Sequence, residues 1–146
     1  MREILFRGKK KDNGEWIEGF FVQQKDKCYI CANPYQLMDG YSSKNGQHYG
    51  FGDFYEVEQE TIGQYAELKD KCRKGIFEGD ILSFTQKGQN AKGVVSVVDG
   101  CFFAIIEGQK CWLSEGIKRY KGRIVGNIFD NPELLKEETE NANPAN

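Results

Sequence analysis

The 146-residue chain has 20 basic and 22 acidic residues, a formal net charge of −2, and 39% hydrophobic residues. This balance argues against a dedicated non-specific nucleic-acid binder, which is usually basic, although it allows a local basic patch. The chain is long enough to bury a core without metals or disulfides, and it shows neither a secretory signal nor an apolar run that could span a bilayer, so we expect a cytoplasmic protein with no membrane association.

Residues 1–60 predict an N-terminal β subdomain. The step Asn13-Gly14 favours a hairpin because both residues tolerate positive φ. Residues 33–53 are rich in Gly, Ser, Asn and Tyr and predict a long loop, a kind of segment that is often functional in compact domains. The strands of this subdomain are predicted at 3–9, 15–22, 28–31 and 54–57.

Residues 61–138 predict a second β subdomain, in which short strands alternate with glycine-containing turns. Near the end, Asn131 can cap a short helix that Pro132 opens, and residues 139–146 are expected to form a flexible tail. We therefore predict a mainly β fold, namely a small antiparallel β-barrel of SH3-like type with an additional N-terminal β subdomain and a short C-terminal helix. Its strands are expected at 80–86, 92–98, 101–107, 110–114 and 123–129.

Three segments of the chain resemble the YopX protein family of bacteriophages and prophages. They are REILFR at 2–7, the run from IGQY to IFEGDI at 62–81, and VGNIFDNPELL at 125–135. The resemblance implies a small, β-rich, cytoplasmic phage or prophage protein with no established activity, so no catalytic residue carries over. This chain departs from the family pattern at two steps. Ala66-Glu67 stands where Thr-Gly is usual, and Cys72-Arg73 stands where Asn-Gly is usual.

The triplet Glu78-Gly79-Asp80 allows two interpretations. Two carboxylates in an extended strand would lie about 7 Å apart on one side, a separation that suits acid–base hydrolysis. In the structural interpretation, Gly79 permits a bend and Asp80 accepts backbone N–H groups where a strand begins. We favour the structural interpretation, and we assign a structural role to Gly126 and Asn127 of the third family segment as well, together with Asn131 and Pro132.

The cysteines and the histidine give little support for a metal or nucleophile site. Cys28 and Cys31 have the spacing of a zinc-binding pair, but a closed site needs four ligands and the other three cysteines form no second pair. His48 lies in the predicted loop without a nucleophile signature, and no glycine-rich phosphate-binding loop is present. We predict no metal, no cofactor and no catalytic residue.

Lysine and arginine gather in three short clusters. The cluster at 118–123 interleaves an aromatic ring with charge, which suits phosphate contacts combined with base stacking, and its candidate binding residues are Lys118, Arg119, Tyr120 and Lys121. The alternative is that lysines at turns and edge strands increase solubility and prevent edge strands of different chains from pairing. The other two clusters lie at 7–11 and 69–74.

These features predict a non-catalytic protein-binding module whose partner is a host or phage protein, reached through an aromatic surface or a β edge. The candidate partner-binding residues are Tyr41, Tyr49 and Phe51 in the long loop, and the same surface allows a homo-oligomer. The first alternative is a nucleic-acid-binding module that uses the basic loops. The second alternative is a hydrolase that uses the two carboxylates of the triplet.

Overall fold

The chain is mainly β, with antiparallel strands and short helices. It divides into two compact units, Glu3–Gln64 and Tyr65–Asn146, each with its own hydrophobic cluster. No helix in the described ranges has the length and apolar character needed to cross a bilayer. The computed structural model describes residues 2–32, 40–43, 46–49 and 53–136.

The N-terminal unit contains a sheet of order β6-β3-β2-β1 and a separate β4–β5 hairpin, all antiparallel. The sequence predicts one long loop over 33–53, whereas the β4–β5 hairpin interrupts that range. The strands are β1 (Phe6–Lys9), β2 (Trp16–Gln24), β3 (Lys27–Ala32), β4 (Gly40–Ser43), β5 (Gly46–Tyr49) and β6 (Asp53–Glu56).

The predicted hairpin turn between β1 and β2 forms, but only its glycine needs the left-handed region. Gly14 has φ +73°, and the Lys10 N–H donates to the Glu15 carbonyl at 2.9 Å to close the loop. The Asn13 side-chain oxygen accepts the Glu15 N–H at 2.9 Å. Asn13 therefore stabilises the turn through its amide rather than through a positive φ.

The core of the N-terminal unit lies on one face of its sheet. Cys28 and Ile30 alternate along β3 and are buried with Val57, and Phe6 and Phe21 pack there with ring centroids 5.4 Å apart. Because strand side chains alternate between faces, these residues share one side of the sheet. Burial of aromatic and aliphatic side chains on this face is the main source of its stability.

The C-terminal unit contains an antiparallel sheet of order β12-β11-β10-β9-β13, in addition to the pair formed by β7 and β8. This sheet is not closed into a barrel among the described residues, so the SH3-like closure stays a prediction. Residues 133–136 form a short helical turn. The elements are β7 (Gly63–Lys69, which starts in the N-terminal unit), β8 (Gly75–Phe77), β9 (Asp80–Gln86), β10 (Gln89–Val98), β11 (Cys101–Ile106), β12 (Gln109–Trp112), α1 (Leu113–Tyr120) and β13 (Arg123–Asn127).

Three hairpins of the C-terminal unit share one turn geometry. In each, a charged residue with φ near +50° precedes a glycine with φ +79°. Two consecutive positive φ values are typical of type I′ turns, whose twist matches that of the flanking strands. The turns are Lys87-Gly88, Asp99-Gly100 and Glu107-Gly108.

Helix α1 packs closely on β9 because two glycines face the ring of Phe84. A Cβ atom on Gly116 would lie 2.6 Å from Phe84 Cε1, and one on Gly122 would lie 2.8 Å from the same atom. The helix buries Leu113, Gly116 and Ile117, and the residue that follows it, Lys121, is a C-cap in the left-handed conformation. This packing sets the end of α1 beside the β9–β10 hairpin, where the candidate site lies.

Candidate nucleic-acid interface

A buried carboxylate organises the basic turn that follows β7. Asp70 is only 5% exposed, and its Oδ1 accepts the N–H groups of Cys72 at 2.9 Å and Lys74 at 2.8 Å. Its Oδ2 accepts the N–H of Ile124 in β13 at 2.8 Å. Hydrogen bonds to a charged acceptor are stronger than neutral ones, so Asp70 both shapes the turn and fastens it to β13.

Two of the predicted basic clusters are joined in the structure. The Lys71 N–H donates to the Gly122 carbonyl at 3.1 Å, which sets residues 69–74 directly beside residues 118–123. We call these two ranges together the joined basic surface. Its eight cationic side chains are all exposed, and none forms a recorded ion pair with another described residue. They belong to Lys69, Lys71, Arg73, Lys74, Lys118, Arg119, Lys121 and Arg123.

A cleft of about 500 Å³ lies beside the joined basic surface, between the tip of the β9–β10 hairpin and the end of α1. Its cationic walls come from Lys87, Arg119 and Lys121, and no acidic residue of the described ranges lines it. We call it the basic cleft. A group of cations favours an anionic ligand.

A second cleft of about 680 Å³ adjoins the first and shares the half-buried ring of Tyr120 with it. Its lining combines the apolar side chains of Phe84 and Ile106 with four amide side chains, and it also includes the charged residues Lys87 and Glu107. We call it the amide cleft. Its amides belong to Gln86, Gln89, Asn90 and Gln109.

Part of the positive charge also has a structural explanation. Lys118 and Arg119 lie in the last turn of α1, where cations interact favourably with the negative end of the helix dipole. This effect is worth only about 0.3–1 kcal/mol at exposed positions. It does not account for the cations of the 69–74 turn or for Lys87.

The triplet Glu78-Gly79-Asp80 has the geometry of a turn. Asp80 is 2% exposed and its Oδ2 accepts the Phe77 N–H at 2.8 Å, while Gly79 has φ +94°. The Gly79 N–H donates to the Val95 carbonyl at 2.9 Å, which ties the turn to β10. A carboxylate enclosed in this way gives the hydrolase hypothesis no geometric support.

In the third family segment, residues 125–135, two asparagine side chains accept backbone N–H groups of the same segment. The Asn127 Oδ1 accepts two backbone N–H groups that follow it, including that of Asp130 at 2.9 Å. The sequence predicts that Asn131 caps the next helix. In the structure its Oδ1 accepts the Asn127 N–H at 3.2 Å, and its carbonyl accepts the Leu134 N–H at 3.1 Å. A Cβ on Gly126 would lie 2.6 Å from that oxygen, and Pro132 falls in the turn before 133–136. The motif is structural because the small glycine lets this network form.

The cysteines do not form a reactive centre in the described part of the chain. Cys28 and Cys31 lie on opposite faces of β3 and are both buried. Burial raises the pKa of the Cys31 thiol and also that of Cys111 in the amide cleft, which disfavours the thiolate that a nucleophile needs. Within the described ranges, no group of three or more His, Cys, Asp or Glu residues is arranged to hold a metal ion.

The predicted partner-binding residues Tyr41, Tyr49 and Phe51 lie outside the residues whose side chains the structure describes. The described apolar surface of the same unit centres on Phe20 and Phe54, which are 48% and 44% exposed. Both pair with Cys31 across β3 and therefore lie on one face of the sheet.

Sequence reasoning found both halves of the joined basic surface but missed Asp70 and Lys87. The signal that could have identified Asp70 is an aspartate at the start of a polar turn, where its side chain can accept backbone N–H groups two and four residues further along. In the sequence Lys87 has only the pattern of a hairpin-turn residue. Its place beside the end of α1 depends on the packing of α1 on β9, which the sequence does not show.

Comparison with known proteins agrees with this architecture. The crystal structure of protein EF1440 from Enterococcus faecalis is similar with a TM-score of 0.60 and 24% identity, over 92% of this chain and 99% of that chain. At this identity the likeness concerns the fold alone. No match was found among curated proteins. The sequence profile of the YopX protein matches residues 5–136, which is most of the chain. The chain therefore belongs to the YopX protein family.

Proposed function

We propose that this protein is a non-catalytic binding module that holds nucleic acid on the joined basic surface. The observation that carries the proposal is the backbone bond between Lys71 and Gly122, which unites two cationic segments that are distant in sequence. We also propose that it acts in the cytoplasm of a host cell as a phage or prophage product, and that its C-terminal sheet has an SH3-like curvature.

The acidic net charge is compatible with this proposal because the charges are segregated. Within residues 69–74 and 118–123, Asp70 is the one acidic residue, and its carboxylate is buried and occupied by backbone N–H groups. A phosphate backbone meets the exposed cations of this surface and not the average charge of the chain. Each phosphate contact releases counterions, so affinity should fall steeply with salt.

The test is oligonucleotide binding by fluorescence anisotropy over a series of salt concentrations. The double variant Lys71→Glu with Lys118→Glu changes one residue in each half of the joined basic surface. The matched control is Lys25→Glu with Lys27→Glu, which makes the same change in net charge at exposed positions of the N-terminal unit. The proposal predicts that the first variant loses binding and the control retains it. Equal affinity of the two variants, or no binding by the wild-type chain, would contradict the proposal.

A protein partner is the second candidate, and the exposed pair Phe20 and Phe54 supports it. The partner we propose is a second copy of this chain, because identical apolar patches can pack on each other about a two-fold axis. Light scattering should then show a dimer for the wild type and a monomer for Phe20→Ser with Phe54→Ser. The sequence-predicted residues Tyr41, Tyr49 and Phe51 would be replaced with Ser in a parallel variant. A wild-type monomer at all concentrations would refute this candidate.

A further inference from the structure

The ring of Tyr120 has a position that phosphate binding alone does not require. It is the last residue of α1, it packs against the hydrophobic cluster of the C-terminal unit, and it borders both the basic cleft and the amide cleft. A ring that is held by packing on one side and open on the other can stack on a planar ligand with little loss of side-chain entropy.

The two clefts that Tyr120 borders share Gln86 and Lys87 but differ in their other side chains. The basic cleft presents Lys87, Arg119 and Lys121, which suit phosphate oxygens. The amide cleft presents side chains such as Gln89 and Gln109, each with both donors and acceptors, beside apolar side chains, and Glu107 adds a carboxylate that can only accept. Mixed donors and acceptors suit the edge of a base, and apolar atoms suit its face.

We infer that the ligand is a single-stranded nucleic acid, with its phosphates in the basic cleft, one base stacked on Tyr120 and the edge of that base read in the amide cleft. The inference rests on the proposed function and adds to it the kind of nucleic acid. In a duplex the bases are stacked and paired, so none can enter a side cleft without being extruded. The cleft volumes of about 500 and 680 Å³ lie within the range of small-ligand pockets, so each has room for part of one nucleotide.

Two lysines of the basic cleft can be neutralised without disturbing the backbone. Lys87 has φ +49° and Lys121 has φ +54°, a region that asparagine tolerates well. The variant Lys87→Asn with Lys121→Asn therefore removes two charges and keeps both turns. Lys25→Asn is the control for the substitution itself, because Lys25 is exposed and has φ +56° in the N-terminal unit, although it removes one charge where the test variant removes two.

The stacking step is tested separately at Tyr120. Tyr120→Leu keeps an apolar side chain against the core but removes the ring, whereas Tyr120→Phe keeps the ring and removes the hydroxyl. Base–aromatic stacking is worth about 1–3 kcal/mol by truncation, so the leucine variant should bind roughly 5- to 150-fold more weakly and the phenylalanine variant nearly as well as the wild type. Thermal unfolding of each variant confirms that it is folded.

The probes are a labelled oligo(dT) and a labelled oligo(U) of about 12 nucleotides, a length typical of single-strand sites, and a mixed-sequence duplex of the same length. The inference predicts at least about tenfold tighter binding of a single strand than of the duplex. For Lys87→Asn with Lys121→Asn, the slope of log K against log salt should become less negative by about 1.4, or 0.7 per lost phosphate contact, with no change for Lys25→Asn. The DNA and RNA arms distinguish whether a 2′-hydroxyl contributes.

The outcomes separate this inference from the proposed function. If the duplex binds as tightly as the single strands, or if the Tyr120→Leu and asparagine variants bind normally while Lys71→Glu with Lys118→Glu does not, the inference is wrong and the proposed function stands. If no nucleic acid binds the wild-type chain, both are wrong.

Discussion

Replacing Asp70 with alanine should lower stability and weaken nucleic-acid binding at the same time. The substitution removes the acceptor of three backbone N–H groups, two in an exposed turn and that of Ile124 in β13. The N–H groups of Cys72 and Lys74 in the turn can bond to water instead, so the loss of each hydrogen bond should lower the free energy of unfolding by about 1 kcal/mol. The less accessible N–H of Ile124 would be left without an acceptor, which costs about 1–3 kcal/mol. We expect a total loss of roughly 3–5 kcal/mol, which is a large part of the 5–15 kcal/mol of a typical protein.

The stability assay is urea unfolding. With a slope of about 2 kcal/mol per molar, the midpoint should fall by roughly 1.5–2.5 M. Asp12→Ala, at an exposed turn of the N-terminal unit, is the control and should change stability by less than about 0.5 kcal/mol. A midpoint for Asp70→Ala close to that of Asp12→Ala would show that the three hydrogen bonds contribute little.

The binding assay on Asp70→Ala is the sharper half of this prediction. The substitution removes a negative charge, so simple electrostatics predicts tighter binding of an oligonucleotide. We expect weaker binding, measured at a temperature where the variant is folded, because the carboxylate that fastens the 69–74 turn to Ile124 is gone. Tighter binding by this variant would refute the role of Asp70 in positioning the basic turn.

Three further predictions follow from backbone and packing geometry. Gly116→Ala should destabilise the chain by about 1–3 kcal/mol in urea unfolding, because the new Cβ would lie 2.6 Å from Phe84 Cε1; an unchanged midpoint would mean that the ring yields freely. Arg73→Gly should raise the thermal midpoint, because a non-glycine residue at φ +67° costs about 1–2 kcal/mol. The greater conformational freedom of glycine in the unfolded chain cancels roughly half of that gain. Oligonucleotide binding by this variant should weaken, because a positive charge is lost. At mildly alkaline pH, iodoacetamide should modify the exposed Cys72 before Cys111, because burial raises the pKa of Cys111 and lowers its thiolate fraction; faster modification of Cys111 by mass spectrometry would contradict this.

The strands were largely predictable because their signals are local. The prediction of a strand at 80–86 is confirmed to the residue in β9, since it begins after Gly79 and ends at the Lys87-Gly88 turn. Helix α1 was not predicted, and part of it was assigned to a strand at 110–114. Its start at Trp112 has no side-chain cap, and Gly116 inside it is a poor helix former. The helix is stabilised by packing on Phe84, which no local pattern reveals.

The candidate site was predictable in its parts but not in its assembly. The sequence shows both basic segments, whereas their union depends on contacts between Asp70 and Ile124 and between Lys71 and Gly122. The turn also forms at Arg73, although the family usually has a glycine at this position. The arginine adopts φ +67° itself because the Asp70 hydrogen bonds hold the turn in place.

The most direct test of the central claim is a map of the binding surface on the intact chain. The ¹⁵N-labelled protein would be titrated with a single-stranded oligonucleotide, and the amide chemical shifts followed by NMR. We expect the largest shifts in residues 69–74, 118–123 and the 85–90 hairpin tip, with little change around Phe20 and Phe54. Shifts concentrated around those two phenylalanines, or no shifts at saturating oligonucleotide, would contradict it.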